Sequence, residues 1–523
     1  MRLLSIAAIL GSLAACNQHD ETHKTSSVTK TAAAGDKGSG AAVTGAPEQQ
    51  QAVAKKPLDS KPLPQLEPDK GGASGKVQWA IGWGGRETDA ARSIALDAKG
   101  NIYVVGYFDA FTTIGGTKYV AAQPDVDPAA KKTPKPTSDA YLAKLTPDGK
   151  IAWSRTWGAK RDDDAKGVAV RGDTVIVVGN FLDELKLGEI AKKSFGSDDI
   201  FAATFTTGGD VQWIWTAGGI DTDGANSVAA TPDGGWVIGG SFSGKASFFD
   251  TKLVAQGGTD AFLIKLTAGG TMEWLKQFGG TQNDTIAHVA VDAQGSVYVQ
   301  GLFKWKATWG GKAPFEAAGG SDDDLVLAKY DLNGDHVWSQ RFGNPFVDIA
   351  GGLAVDAAGN VTMVGGFERQ ISFGDKDDHA SGGDKDIYVA RFTTAGKLVW
   401  AHTYGGDRED VANGVAVDGS GNVVVVGSFT NTVDFGKPLT SKNRNRDVFA
   451  LKLDAKGNFV WVQQWGDKDH DQGRGVAIDD KGAALVTGFF RFTLDLVSPP
   501  VENARAEDDP IPKSDVFVVK LDR

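Results

Sequence analysis

From about residue 75 to the end, short apolar runs alternate with turns rich in Gly, Asp and Asn, and no segment carries a helical period. One stretch, "DVANGVAVDGSGNVVVVGSF" at 410–429, shows the unit: an Asp, a short apolar run, a Gly-rich turn, a valine run and Gly-x-Phe. With its continuation it predicts four short strands, "GVAVD", "NVVVVGSF", "DVFALKLD" and "FVWVQQWG", all β-branched or aromatic. The first two are joined across Asp418-Gly419-Ser420-Gly421 and the last two across Asp454-Ala455-Lys456-Gly457, turns that offer a Gly for positive φ.

The phrase recurs seven times. A Trp four residues after a Gly stands at Trp79, Trp153, Trp213, Trp274, Trp338, Trp400 and Trp461, mostly 60 to 64 apart. Gly-x-Phe begins at Gly106, Gly179, Gly240, Gly301, Gly365, Gly427 and Gly488. A third marker, as in "DAYLAKL" and "DVFALKL", begins at Asp139, Asp199, Asp260, Asp324, Asp386, Asp447 and Asp515. Four strands per unit repeated radially predict an all-β fold, a seven-bladed β-propeller with four-stranded blades. The ends test the reading. The chain finishes at "DVFVVKLDR", a third strand lacking its fourth, and the repeats open at "GKVQWAIGWGG", a fourth strand lacking the first three. Pairing them in the last blade would close the ring and remove two exposed edges.

On these markers residues 75–523 resemble the bacterial seven-bladed β-propeller repeat (SBBP-type) family. The Gly-x-x-x-Trp element also resembles the tryptophan-docking motif of quinoprotein propellers, although the eight blades and adjacent cysteine pair usual there are absent and no cofactor is implied. Turns such as "TPDGKIAW" resemble the Asp-box of sialidases without its required spacing.

Each repeated residue has a structural and a functional reading. The seven Trp, in the outermost strand, are expected to pack between neighbouring blades rather than form ligand platforms. The Phe of Gly-x-Phe is expected in the core. A further Asp precedes each first strand: Asp89, Asp163, Asp223, Asp284, Asp348, Asp410 and Asp471. These should ring the central channel near one mouth. A ring of carboxylates could hold a cation, but a cap on the backbone of each Gly-rich loop explains seven copies better. "DKDHDQG" has the alternating Asp467, Asp469 and Asp471 of a calcium loop, yet its Gly is misplaced and position twelve would be Ile478, so no metal site is assigned.

Zinc-protease HExxH, the phosphate-binding P-loop and the GxSxG elbow are all missing from the sequence. The expectation is therefore a non-enzyme without cofactor. At the start, "MRLLSIAAILGSLAAC" places Arg2 before an apolar stretch and a small-residue site, the layout of a secretory signal. Leu13-Ala14-Ala15-Cys16 resembles the lipobox of bacterial lipoproteins, which implies a signal peptide at 1–15 and lipidation of Cys16, the only cysteine. Asn17 in place of Asp favours the outer membrane. Residues 17–74 almost lack aromatics and are rich in Ala, Gly, Lys and Thr, so with Cys16 they read as a disordered, lipidated tether over 16–74. Such a coil reaches roughly 40 Å on average. The net charge of −11 argues against nucleic-acid binding.

Departures from the repeat point to binding loops. From Phe to the third-strand Asp the chain spans 18 residues after Phe181, Phe242 and Phe429, but 31 after Phe108 and 25 after Phe490. The longer segments, in blades made neighbours by closure, offer Lys131, Lys132 and Lys135 in one and Glu507, Asp508 and Asp509 in the other. They are candidate ligand-face residues, with pairing across the seam or plain solvated loops as the alternatives. The expected protein is a monomeric, lipid-anchored envelope propeller, touching the membrane through its anchor only and serving as a non-catalytic scaffold for an unknown protein or glycan. Two alternatives stay open. One is a periplasm-facing scaffold resembling the propeller lipoprotein of the outer-membrane barrel-assembly machinery. The other is a polysaccharide- or cell-wall-active enzyme on a propeller platform.

Overall fold

A computed structural model describes residues 74–122, 136–320, 322–374, 378–504 and 513–523. Within them the protein is all-β and propeller-like. The one helical element among the described residues is a single 3-10 turn at Lys442–Arg444.

Each sequence repeat folds as four antiparallel strands in chain order. In repeat six these are Val411–Val417, Val423–Thr430, Arg446–Leu453 and Phe459–Trp465. The second strand of this repeat, whose Val423 to Val426 are fully buried, is covered on both faces. That is why it reads as a continuous valine run rather than an alternation. Repeats two and three merge with the hairpin Lys306–Thr308 and Phe315–Glu316 of repeat four into one ten-stranded sheet. The second strand of repeat three, Trp236–Phe248, runs past its own sheet and pairs with Gly218 and Gly219 of repeat two.

The last repeat takes its fourth strand from the other end of the chain. Val77–Trp83 lies antiparallel to Asp515–Leu521, with Val77 opposite Leu521 and Trp83 opposite Val516. Where other repeats have a covalent turn, here two chain segments imitate one: Asp522 N donates to Lys76 O at 2.8 Å, Ser74 N to Arg523 O at 3.1 Å, and Ser74 Oγ to Asp522 Oδ2 at 2.8 Å.

Strand pairing links repeats two, three and four through Gly218 with Ser247 and Gly279 with Thr308, and apolar contact also joins neighbouring repeats. Tyr103 and Leu142 of repeat one pack with Val177 and Phe201 of repeat two. Val516 and Val518 of repeat seven pack with Val104 and Tyr141 of repeat one. The first strands lie against one another in order, and Gln472–Ile478 of repeat seven lies against Asp89–Leu96 of repeat one.

Candidate functional site

The repeated tryptophans dock on the next repeat. The Trp400 ring lies on Gly457, the positive-φ residue of the turn between third and fourth strands of repeat six, where an added Cβ would sit 2.8 Å from the ring; Trp400 Nε1 donates to Ala455 O at 3.3 Å. Trp153, Trp213, Trp274 and Trp338 make the same bond to Thr207, Ala268, Leu332 and Thr394, and rest on Gly209, Gly270, Gly334 and Gly396. Trp79 covers Gly149 of repeat one, and Trp461 covers Gly75, which at φ +62 supplies from the N-terminal segment the glycine that other repeats place in their turn. Only Gly accepts both this backbone and an indole against its Cα.

The Asp preceding each first strand caps the loop before it. Asp89, Asp163, Asp223, Asp284, Asp410 and Asp471 each accept, through Oδ2, the backbone N–H four residues earlier, from Gly85, Ala159, Gly219, Gly280, Gly406 and Asp467. All seven, Asp348 included, are at most 2% exposed. They stand buried inside the frame.

Beside each stands the third-strand Asp of the repeat before, which holds the returning hairpin loop in the same manner: Asp199 accepts from Phe195 N at 2.6 Å and Asp386 from Gly382 N at 2.9 Å. The two carboxyls meet around a glycine at the end of the fourth strand. A Cβ on Gly218 would lie 2.2 Å from Asp199 Oδ1 and 2.9 Å from Asp223 Oδ2; Gly158 stands in the same way between Asp139 and Asp163, and Gly466 between Asp447 and Asp471. Oδ1 of Asp139, Asp199, Asp260, Asp324, Asp386, Asp447 and Asp515 has no hydrogen-bond partner. Burial works against ionisation in all of them, and for Asp223, Asp284 and Asp410 the paired carboxylate adds to it. Asp139, Asp199, Asp223, Asp284, Asp410 and Asp515 are pushed up to about 7, with backbone N–H bonds pulling the other way. These pairs have protons to hold near neutrality, and their carboxyls are buried.

Asp467, Asp469 and Asp471 do not converge on one point: Asp469 pairs with Arg491 at 3.3 Å, while Asp471 is turned into the frame. No group of three or more His, Cys, Asp or Glu among the described residues could hold a metal ion. Cys16, Lys131, Lys132, Lys135, Glu507, Asp508 and Asp509 lie outside the described residues.

What sequence reasoning missed is a bulge. Three residues after each capping Asp the first strand carries one extra residue, so that its register with the second strand shifts. The extra residue is Arg92, Lys166, Asn226, Ala287, Gly351, Asn413 or Arg474 in successive repeats. It reaches toward the first strand of the next repeat: Asn226 Nδ2 donates to Ile286 O at 2.9 Å and Asn413 Nδ2 to Gly473 O at 3.0 Å. The signal in the sequence was a variable position between the capping Asp and the apolar run of the first strand.

Fold and site together define a class, the all-β repeat proteins of propeller-like architecture. No family model matches the chain. An uncharacterised WD repeat-containing protein, L264 of Acanthamoeba polyphaga mimivirus, is 20% identical over 506 residues, covering 79% of this chain and 36% of that protein. The regulatory protein FlaEY of Caulobacter vibrioides is 30% identical over 181 residues, covering 34% of this chain and 19% of its own length. The chain thus spans about a third and a fifth of these relatives. Among solved structures, the WD40 domain of Neurospora crassa Pan2 aligns with a TM-score of 0.41 at 8% identity, covering 85% of this chain and 97% of the domain. A gluconolactonase from Xanthomonas campestris aligns with a TM-score of 0.31 at 11% identity, covering 67% and 90%.

Proposed function

We propose that the chain is a closed seven-bladed β-propeller, carried on the bacterial envelope by a lipid on Cys16 and a tether over 16–74, and that it is a non-catalytic scaffold for protein or glycan. Closure is supported by the hydrogen-bonded strand pair from opposite ends and by the succession of first strands from repeat one through repeat seven and back. The scaffold reading rests on one observation above all: the repeated polar side chains are engaged in holding the frame. Five of the seven Trp bond the next repeat's turn and six of the seven capping Asp bond the loop before them. Recognition then falls to the residues that differ between repeats, and these concentrate on the face carrying the hairpins and interblade loops. Phe195, Ile220 and Trp305 are exposed there at 61%, 76% and 55%. The long segments of repeats one and seven leave on the same side.

A glycan array and an envelope-extract pull-down with residues 62–523, which form one compact unit, test this reading, alongside a turnover screen on the same material. Saturable binding without turnover supports it. Hydrolysis of a polysaccharide would replace it with an enzyme. Deleting residues 121–136 should leave the domain folded and weaken capture of the partner; unchanged capture would remove that segment from the binding face.

A further inference from the structure

The bulge position tolerates anything from Gly to Arg. An added Cβ on Gly351 would lie 1.9 Å from Ala412 O, so repeat five admits no side chain there, and repeat four has only Ala287. The frame therefore has no general need for a cation at this place. Yet three repeats in succession around the closure, seven, one and two, carry Arg474, Arg92 and Lys166.

Their charges are poorly matched. Arg92 Nη2 pairs with Asp164 Oδ2 at 2.9 Å, and its Cζ stands 5.0 Å from the centre of the Tyr107 ring. Arg474 Cζ lies 5.7 Å from the centre of the Phe489 ring, and its Nε is closed off from solvent with no acceptor. Lys166 reaches toward Gly224 and has no hydrogen-bond acceptor among the described residues. The other carboxylate near it, Asp198, is held by Asn180 at 3.0 Å. Burial, and then the charge of Arg92, bring Arg474 down to about 10. The recess is nevertheless wet: the Arg92 side chain is 33% exposed and that of Asp164 17%. Enclosed cations that outnumber their carboxylate partners destabilise a frame that does not require them, unless something else supplies the negative charge.

The geometry points to an oxyanion site formed by Arg474, Arg92 and Lys166, taking a carboxylate or phosphate group on a compact sugar-like body that lies against Phe489 and Tyr107. Arg supplies paired donors suited to either group, and an aromatic face suits a sugar ring. This inference rests on the closed-propeller reading and narrows its glycan branch to acidic saccharides.

Calorimetric titration of the full chain with glucuronic acid and with glucose 6-phosphate, glucose serving as the neutral control, tests the site. Saturable binding of either acidic sugar, with glucose silent, is expected, and the one that binds identifies the anion. Arg474→Gln and Lys166→Gln should each weaken binding about tenfold, whereas Lys186→Gln on an exposed hairpin should not. Without ligand, Arg474→Gln should raise Tm, because it removes an enclosed charge; with ligand, the ligand-induced rise seen in the wild type should vanish. Absence of binding at millimolar concentration, equal binding of glucose, or wild-type affinity in the Arg474→Gln, Lys166→Gln double variant would overturn the site. Deleting 74–83 reads closure separately. An unchanged Tm would overturn the ring, while a lowered Tm with no anion binding in the intact chain would overturn the site alone.

Discussion

Glycine and aspartate at the repeat junctions depend on each other. Gly218 has no room for a methyl group, because two carboxyls occupy the space a Cβ would take. Gly218→Ala should therefore cost about 1–3 kcal/mol in urea unfolding, as overpacking does; an unaltered midpoint would show that the two acids do not crowd this glycine. The same acids set a pH dependence whose sign follows from their direction of shift. Asp139, Asp199, Asp223, Asp284, Asp410 and Asp515, near 7 in the folded protein, start from an ordinary carboxyl value of about 4 in the unfolded chain. The folded state thus binds more protons across that window, and the stability they contribute is present in full below it and lost as pH rises through 7. Histidines act the other way: burial holds His288 at about 4 and also lowers His336, His402 and His470, so their contribution is lost as pH falls below about 6.5. Above that value the unfolded histidines lose their remaining protons, and the six acids outnumber the four histidines, so the acids set the sign. Urea midpoints should fall between pH 6.5 and 8, and a rise across this interval would contradict the buried-acid account.

At the scale of strands and turns, the docked indole joins each repeat to the next. Trp338 both covers Gly396 and bonds Thr394 O at 3.1 Å. Trp338→Phe should cost about 1 kcal/mol for the lost bond. Trp338→Ala should cost about 2–3 kcal/mol, since the ring is only partly buried. Equal losses in the two variants would mean that the ring's packing contributes nothing. Much of this level was legible in the sequence. Trp, Gly-x-Phe and the third-strand Asp recur because every junction has the same geometric need, and need repeated at a fixed interval is visible without coordinates. Two things were not. The pairing of Asp199 with Asp223 joins the third strand of one repeat to the first strand of the next, a proximity that spacing within one repeat does not express. The bulge at Arg92, Lys166 and Arg474 breaks the two-residue strand period by one residue, so its side chains could not be assigned to a face from alternation. Their variability also hid them, because reading by repetition discards the position that differs.

For the molecule as a whole, the proposed lipid anchor and the proposed ring make separate predictions. Cys16→Ser should move the protein from the membrane fraction to the soluble fraction while leaving the unfolding midpoint of the propeller unchanged; retention in the membrane would mean that some other contact holds it there. The proposed ring depends on residues from the two extremes of the folded chain, and the register between them is explicit: Ala80 stands opposite Val519. With Cys16 as the only native cysteine, the Cys16→Ser background gives a clean measurement by non-reducing electrophoresis of the Ala80→Cys, Val519→Cys variant after mild oxidation. The account predicts one intramolecular disulfide, formed in the monomer and abolished when the chain is unfolded in urea before oxidation. Two free thiols in the folded protein, or cross-links formed only between chains, would contradict a ring joined through its ends.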